Sequence, residues 1–197
     1  MIKAILLIAF SYFLGNFSTS LTISKLWANI DIRKYGSGNA GATNVVRTLG
    51  LKAGIITFVG DALKGVIAVW IAKQAGGENV ALLSGIAVVI GHNWPILFGF
   101  KGGKGISTTI GAALSIYPLG TLICILVGVL IIIKTRYISL AAIIAICIFP
   151  ILMLFIGVKY FLFGLVLAAM AVFRHRSNIK RLLEGTESKF GKKAGIK

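Results

Sequence analysis

The first stretch that could do chemistry is glycine-rich and ends in an arginine: residues 36–50, GSGNAGATNVVRTLG. The glycines and small residues before Thr43 let the backbone adopt positive φ and point successive N–H groups at an anion. Asn44 and Arg47 are three residues apart, on one face of a helix that Thr43 or Asn44 could cap. The pattern predicts an anion site where free amides, the helix dipole and one guanidinium meet. The alternative is a flexible loop whose arginine anchors the chain at a membrane.

A second stretch, residues 91–108, has the sequence GHNWPILFGFKGGKGIST. It is not a nucleotide-binding P-loop, because Phe98 replaces the first glycine and Lys104 is followed by Gly105, where that motif has Ser or Thr. The two glycines before Lys104 can still offer amides, and Lys104 an ammonium, to a phosphate. We interpret Lys104 as functional, whereas Lys101 fits a membrane anchor at least equally well.

A third stretch, residues 174–189, has the sequence RHRSNIKRLLEGTESK. Composition alone makes it a basic tail attracted to anionic lipid. That interpretation suits Lys189, Lys192, Lys193 and Lys197. It explains His175, Asn178 and Glu187 poorly, since these residues add little to lipid attraction. His175 and Asn178 should share a helical face, and they are the chemical candidates of this stretch.

The remaining reactive side chains predict no metal site. Two Cys, two His and five acidic residues show no metal-ligand spacing. Cys124 and Cys147 lie in apolar runs, where thiols act as small hydrophobes. Asp61 and Lys64, inside another apolar run, are interpreted as a structural ion pair next to the site, with direct contact to substrate as the less favoured alternative. His92 is interpreted as a satisfied polar group in preference to a base.

The elements that hold these stretches are predicted to be membrane helices. Hydrophobic residues make up 57% of the 197 residues and charged residues 13%, and the mean hydropathy is +0.94. Soluble domains carry about 25% charged residues, so we exclude a soluble or disordered chain. The apolar runs are 2–23, 53–72, 80–98, 106–133, 137–156 and 160–173. Pro118 lies near the middle of the fourth run and either kinks one helix or ends it.

The distribution of basic residues decides between these options. A break at Pro118 makes seven spans, and almost all of the 21 Lys and Arg residues then lie on one side. The other side keeps Lys3, Lys73 and Lys159. By the positive-inside rule that basic side is cytoplasmic, which also explains the net charge of +16 without nucleic acid. We therefore predict an all-α, polytopic protein of seven transmembrane helices, some of them short, with the N-terminus outside and the C-terminus in the cytoplasm. Residues 1–197 form one membrane domain with a short basic tail from about residue 174.

In this topology every polar stretch faces the cytoplasm. A transporter or flippase of a phosphorylated metabolite or lipid, the runner-up function, should instead carry polar groups along a path through the membrane. A non-catalytic membrane scaffold, the third hypothesis, would have a basic tail without glycine-rich anion loops. Polar stretches confined to one side of the membrane favour a membrane enzyme over these alternatives.

The three stretches SGNAGATNVVRTLG, GHNWPILFGFKGGKGIST and RHRSNIKRLLEGTESKFG, in this order, resemble the motifs of the bacterial acyl-phosphate:glycerol-3-phosphate acyltransferase family. The resemblance runs from Leu14 to about Phe190. It implies an inner-membrane enzyme that needs no cofactor or metal and moves a fatty acyl group from acyl phosphate to the sn-1 hydroxyl of glycerol 3-phosphate, giving lysophosphatidate and phosphate. A soluble or peripheral enzyme that makes acyl phosphate would be its partner. The family motifs map onto Ser37, Gly38, Asn39, Thr43, Asn44 and Arg47, onto Gly102, Gly103 and Lys104, and onto His175, Asn178, Gly185 and Glu187.

The mechanism expected from this resemblance needs little acid catalysis, because acyl phosphate has a good leaving group. Arg47 and Lys104 would hold the phosphates, and His175 with Asn178 would orient the acceptor. The hydroxyl proton would pass to the phosphate of the donor or to His175. The HxxxxD signature of other glycerolipid acyltransferases is absent, since Leu97 follows His92 by five residues and Lys180 follows His175 by five. Thioester donors are therefore not expected. No Ser or Cys lies beside a plausible base, so direct transfer without an acyl-enzyme intermediate is expected.

Overall fold

The computed structural model describes residues 1–191, and its regular elements within this range are helices without any strand. The all-α prediction is confirmed. The α-helices are α1 (Ile2–Asn16), α2 (Thr19–Ala28), α3 (Ala42–Leu49), α4 (Leu51–Gly76), α5 (Glu78–Asn93), α6 (Ile106–Ile116), α7 (Pro118–Thr135), α8 (Ile138–Leu154), α9 (Val158–Arg174) and α10 (Arg176–Leu183). Single 3-10 turns occur at Ile32–Lys34 and Ile96–Phe98. Lys192, Lys193 and Lys197 of the predicted basic tail lie outside the described residues.

Four segments in the described range are long and apolar enough to cross a membrane: Ile2–Ala28, Leu51–Gly76, Glu78–Phe98 and Pro118–Thr135. The bent pair α9 and α10 makes a fifth if it counts as one span. Helices α6 and α8 are apolar but shorter. The protein is thus a multi-pass membrane protein, while seven crossings and the orientation of the termini stay predictions.

The fourth apolar run forms two helices, as a break at Pro118 requires. Helix α6 ends at Ile116, and Pro118 occupies the first turn of α7. Proline is favoured there because the first N–H groups of a helix have no acceptor within the helix.

The first apolar run lies within one candidate span, Ile2–Ala28, as predicted, but the helix in this span is interrupted. Helix α1 ends at Asn16, and Ser18 caps α2 by accepting a hydrogen bond from the Leu21 amide. The break interrupts the helical hydrogen-bonding pattern at the carbonyl groups of Gly15, in the last turn of α1, and of Phe17, which follows it. Both accept hydrogen bonds from the buried Lys64 ammonium, which compensates for the lost helical bonds.

The described chain forms two compact units, with the boundary between residues 115 and 116. In the first unit, α1 packs on α5 and α4. Helices approach closely where glycines face backbone: a methyl group at Gly91 would overlap the Tyr12 carbonyl, and one at Gly111 would overlap that of Ala62. Small residues allow such contacts between membrane helices.

In the second unit, helices α7, α8 and α9 pack in chain order. Its core includes the fully buried Phe149, Met153 and Leu167. Gly164 of α9 lies against Pro150 of α8, 3.0 Å from where its missing Cβ would be. The chain then bends by 60° from α9 into α10.

Candidate active site

The side chain of Asn44 organises the loop before α3, residues 32–41, called here the Asn44 loop. Asn44 is only 2% exposed. Its Oδ1 accepts from the Ser37 amide at 2.8 Å, and its Nδ2 lies 3.0–3.2 Å from the carbonyl oxygens of Ile32, Tyr35 and Asn39. These bonds satisfy backbone groups that the irregular loop leaves without secondary-structure partners. Asn44, mapped by resemblance as a binding residue, thus holds the loop in shape.

The glycines of the Asn44 loop adopt the expected conformations. Gly36 and Gly38 have φ of 58° and 71°, a region that other residues rarely enter. The predicted cap is wrong, because α3 begins at Ala42 with Gly41 as N-cap and no side chain caps it. Thr43 and Asn44 lie in the first turn instead, where Asn44 serves the loop. Ser37, Gly38 and Thr43 are exposed, Asn39 is half-buried, and Arg47 is half-buried in the last turn of α3.

The second stretch forms a glycine loop, residues 102–105, that meets the Asn44 loop. The Gly103 amide donates to the His92 carbonyl at 3.1 Å. A methyl group on Gly103 would overlap His92 Nε2 and would lie 2.7 Å from the Ala40 carbonyl oxygen. The structure therefore brings the first two predicted stretches together at the end of α5. Lys104 is half-buried there and Lys101 is exposed, which fits the different roles expected for them.

An ion pair of Arg33 also links the Asn44 loop to the 3-10 turn at Ile96–Phe98 in the second stretch. Arg33 binds Asp31 at 2.8 Å and donates to the Phe98 carbonyl at 3.3 Å. The side-chain hydrogen bond from Arg33 lowers the pKa of Asp31, although partial burial opposes this effect. The Asp31 carboxylate is thereby neutralised by a partner and adds little repulsion toward an anion.

Asp61 and Lys64 pair as predicted, and His92 joins them. Lys64 is 3% exposed, and its ammonium lies 3.0 Å from Asp61 Oδ1 and 2.8 Å from His92 Nδ1. Thr19 donates to the same Asp61 oxygen at 3.1 Å. We call Thr19, Asp61, Lys64 and His92 the α4–α5 network. The sequence did not point to Thr19, because one threonine in an apolar run carries no signal of its own.

In the second unit, His175 occupies the bend between α9 and α10. Its Nδ1 lies 2.8 Å from the Ala171 carbonyl, and its own carbonyl accepts from the Asn178 amide at 2.8 Å. Since a carbonyl can only accept, Nδ1 carries the proton, and a neutral ring keeps the basic lone pair on Nε2. His175 and Asn178 are both buried and adjacent, as expected, although His175 caps α10 and does not lie within it.

Glu187 is enclosed by three donors. Its Oε1 accepts from Asn178 at 2.7 Å and from Ser139 at 2.8 Å, and its Oε2 accepts from Arg181 at 2.6 Å. Burial opposes ionisation, but these hydrogen bonds outweigh burial, so the pKa of Glu187 lies below its ordinary value. Glu187, mapped as substrate-binding, is placed to hold Asn178. Sequence reasoning missed Ser139 and Arg181; a polar residue in the first turn of the apolar α8 was the available signal.

Residues 5–185 match the family model for glycerol-3-phosphate acyltransferase. The chain belongs to the glycerol-3-phosphate acyltransferase family. A glycerol-3-phosphate acyltransferase of Alkaliphilus metalliredigens (strain QYMF) is 56% identical over 192 residues, covering 98% of both chains. One of Clostridioides difficile (strain 630) is 48% identical, covering 96% of both chains.

A solved relative matches the fold of this acyltransferase. The crystal structure of PlsY (YgiH), an integral membrane glycerol 3-phosphate acyltransferase, in its glycerol 3-phosphate form has a TM-score of 0.91 and 41% identity, covering 95% of this chain and 96% of that chain. Its lysophosphatidic acid form has a TM-score of 0.89 and 40% identity, covering 96% of both chains. The family resemblance found in the sequence is confirmed, and an acyltransferase is favoured over a transporter or a scaffold.

Proposed function

We propose that this acyltransferase moves a fatty acyl group from acyl phosphate to the sn-1 hydroxyl of glycerol 3-phosphate, giving lysophosphatidate and inorganic phosphate. It acts in the bacterial inner membrane, with its reacting groups on the cytoplasmic side, and an enzyme that makes acyl phosphate supplies the donor. One observation carries the acceptor assignment: PlsY, 41% identical over 95% of this chain, was solved in a glycerol 3-phosphate form.

The charges of the first unit support a pair of phosphate-bearing substrates. Residues 36–50 and 91–108 contain no Asp or Glu. The preceding Asp31 is paired with Arg33. A site of cations and backbone amides without competing carboxylates complements phosphate. In our proposal Arg47 and Lys104 bind the phosphates, and further contacts come from Ser37, Gly38, Asn39, Thr43, Gly102 and Gly103.

The second unit supports the handling of the acceptor hydroxyl. Glu187 Oε1 accepts a hydrogen bond from Asn178 Nδ2, so the amide is oriented with Oδ1 as an acceptor for the substrate. His175 holds its proton on Nδ1, which leaves Nε2 as the basic nitrogen. Asn178 and His175 therefore orient the acceptor, His175 Nε2 is the group that can take the hydroxyl proton, and Glu187 positions Asn178.

The proposed reaction balances without an external acid or cofactor. The hydroxyl oxygen attacks the acyl carbon, the bond from that carbon to the phosphate oxygen breaks, and phosphate leaves. The hydroxyl proton goes to the departing phosphate, directly or through His175 Nε2. Holding both substrates in place supplies much of the rate, and no covalent acyl-enzyme is required.

The choice of donor is tested with purified protein and labelled glycerol 3-phosphate. One reaction receives acyl phosphate and the other an acyl thioester of the same chain length. We expect labelled lysophosphatidate from acyl phosphate alone. Product from the thioester alone would overturn the donor assignment, and label at the sn-2 position would overturn the regiochemistry.

A further inference from the structure

The α4–α5 network contains a buried cation whose charge state can be deduced from its partners. Lys64 Nζ lies 3.1 Å from the Gly15 carbonyl oxygen, 2.7 Å from that of Phe17 and 3.0 Å from Asp61 Oδ1. The two carbonyls can only accept, and Asp61 Oδ1 already accepts from Thr19. The two carbonyls occupy two N–H groups, and the buried Asp61 carboxylate requires a positive charge beside it. An ammonium supplies that charge and keeps a third N–H group, whereas a neutral amine has only two N–H groups and no charge. Lys64 is therefore charged.

This charge determines where the proton of His92 lies. His92 Nδ1 is 2.8 Å from the Lys64 ammonium and 3.7 Å from Asp61 Oδ1, so lysine is its hydrogen-bond partner. An ammonium has no lone pair, so Nδ1 must accept. A protonated ring would place N–H against N–H and two positive charges side by side. His92 is thus neutral and carries its proton on Nε2.

That Nε2–H group lies where the Asn44 loop and the glycine loop meet. A methyl group on Gly103 would overlap His92 Nε2 and approach the Ala40 carbonyl to 2.7 Å. The His92 carbonyl also accepts from the Gly103 amide. One residue at the end of α5 therefore contacts the glycine loop through both its backbone and its ring.

We propose that Asp61, Lys64 and His92 are positioning residues that set the spacing of the two phosphate-binding loops. Asp61 neutralises Lys64, Lys64 holds His92 as an Nε2–H donor, and that donor fixes the junction of Ala40 and Gly103. The inference rests on the proposed function, because it assigns phosphate binding to these loops. It gives the intramembrane ion pair, interpreted from the sequence as structural, a task in the binding of substrate.

The protonation pattern is tested by nitrogen NMR on detergent-solubilised protein with labelled histidine. The chain has two His residues, so a His175→Asn variant assigns both rings. We expect His92 to show a protonated Nε2 and an unprotonated Nδ1, and Lys64→Met to disturb this pattern. A protonated His92 Nδ1 in the wild-type protein would overturn the inference. This readout does not depend on turnover, so it separates a failure of the inference from a failure of the proposed function.

The positioning role is tested with two amide variants of the same histidine. His92→Gln can return an N–H near the ε position, whereas His92→Asn can return an acceptor near the δ position without that donor. We expect the KM for glycerol 3-phosphate to be about tenfold higher in H92N than in H92Q, the size of one buried hydrogen bond. The two variants should differ less than about threefold in kcat, because the reacting groups are untouched.

Thermal unfolding of both variants in the same detergent provides the control. Equal unfolding midpoints with the expected KM difference support positioning. Equal KM values in both variants, or a loss confined to kcat, would overturn it. If the wild-type protein transfers no acyl group to glycerol 3-phosphate, the proposed function fails while the NMR result still decides the protonation of His92.

Discussion

Asn178 Nδ2 donates to Glu187 Oε1 over 2.7 Å, and this bond joins the start of α10 to the segment that follows it. The Glu187 side chain is 6% exposed and also accepts hydrogen bonds from Ser139 and Arg181. Three hydrogen-bond donors favour the ionised form of this carboxylate. The orientation of the Asn178 amide therefore depends on the charge of Glu187.

The first prediction concerns the stability of wild-type protein and Glu187→Gln as the pH falls. The folded pKa of Glu187 is lowered from an ordinary value of 4.5. Its contribution is therefore fully present above about pH 4.5 and is lost as the pH falls through the lower folded pKa. At pH 7 we expect E187Q to unfold at a lower temperature than the wild-type protein. Below pH 4.5 the difference between the two unfolding temperatures should narrow.

The control for this prediction is Glu184→Gln. Glu184 is three residues away and pairs with Lys180 at 3.8 Å on the surface. Exposed ion pairs of this kind contribute about 0–1 kcal/mol to the free energy of unfolding. E184Q should therefore unfold at nearly the same temperature as the wild type at every pH. If the difference in unfolding temperature between E187Q and the wild type increased as the pH fell, a lowered pKa of Glu187 in the folded protein would be contradicted.

The second prediction separates two lysines of the second stretch. Lys104 is half-buried beside the glycine loop, and Lys101 is exposed. If Lys104 binds phosphate, Lys104→Ala removes a charge-assisted hydrogen bond, and kcat/KM should fall about 100-fold. Lys101→Ala should stay within about threefold of the wild type in the same steady-state assay. Similar losses in both variants would indicate that only the total positive charge matters.

The third prediction concerns Gly103, compared with Gly99. A methyl group at Gly103 would overlap His92 Nε2 and crowd Ala40, whereas one at Gly99 would meet nothing within 4 Å. Gly103→Ala should therefore raise the KM for glycerol 3-phosphate by about tenfold or more, because the two loops must separate. Gly99→Ala bears only the strain of its φ of 64° and should leave KM nearly unchanged. The result to check is the ratio of the two KM values.

Local patterns were sufficient to predict the helices whose ends carry a strong signal. Pro118 divides an apolar run that is too long for one span, and a proline is most stable in the first turn of a new helix. The positive φ values of Gly36 and Gly38 were likewise predictable, because glycine adopts this backbone conformation without the strain that other residues would incur.

The break after α1 could not be predicted from local sequence. Gly15, Asn16 and Ser18 are all tolerated inside a membrane helix. What stabilises the break is Lys64, which is 49 residues from Gly15 along the chain. The role of Asn44 could not be predicted for the same reason. From the sequence its amide was interpreted as a substrate ligand, but in the structure it binds backbone groups of its loop up to 12 residues away. Roles set by distant partners require the fold.

The fourth prediction concerns packing of α6 on α4. A methyl group at Gly111 would overlap the Ala62 carbonyl, and a backbone cannot yield as a flexible side chain can. Gly111→Ala should lower the free energy of unfolding by about 1–3 kcal/mol, as overpacking does. Gly128 of α7 is the matched control, since its nearest atom would be 3.7 Å away. Gly128→Ala should be neutral or stabilising by up to about 1 kcal/mol, because alanine favours the helix. Thermal unfolding in one detergent compares both.

The fifth prediction concerns the orientation of the chain in the membrane. Seven spans with the N-terminus outside put Lys101 and Lys189 on the cytoplasmic side and Lys73 and Lys159 on the other, because basic loops are retained in the cytoplasm. Single cysteines at these positions, in a background with Cys124 and Cys147 replaced, are labelled with a maleimide that cannot cross membranes. In intact cells only Lys73→Cys and Lys159→Cys should react, and in inverted vesicles only the other two. Reaction of Lys101→Cys in intact cells would place the glycine loop outside, away from a donor made in the cytoplasm, and would contradict both the topology and the proposed supply of acyl phosphate.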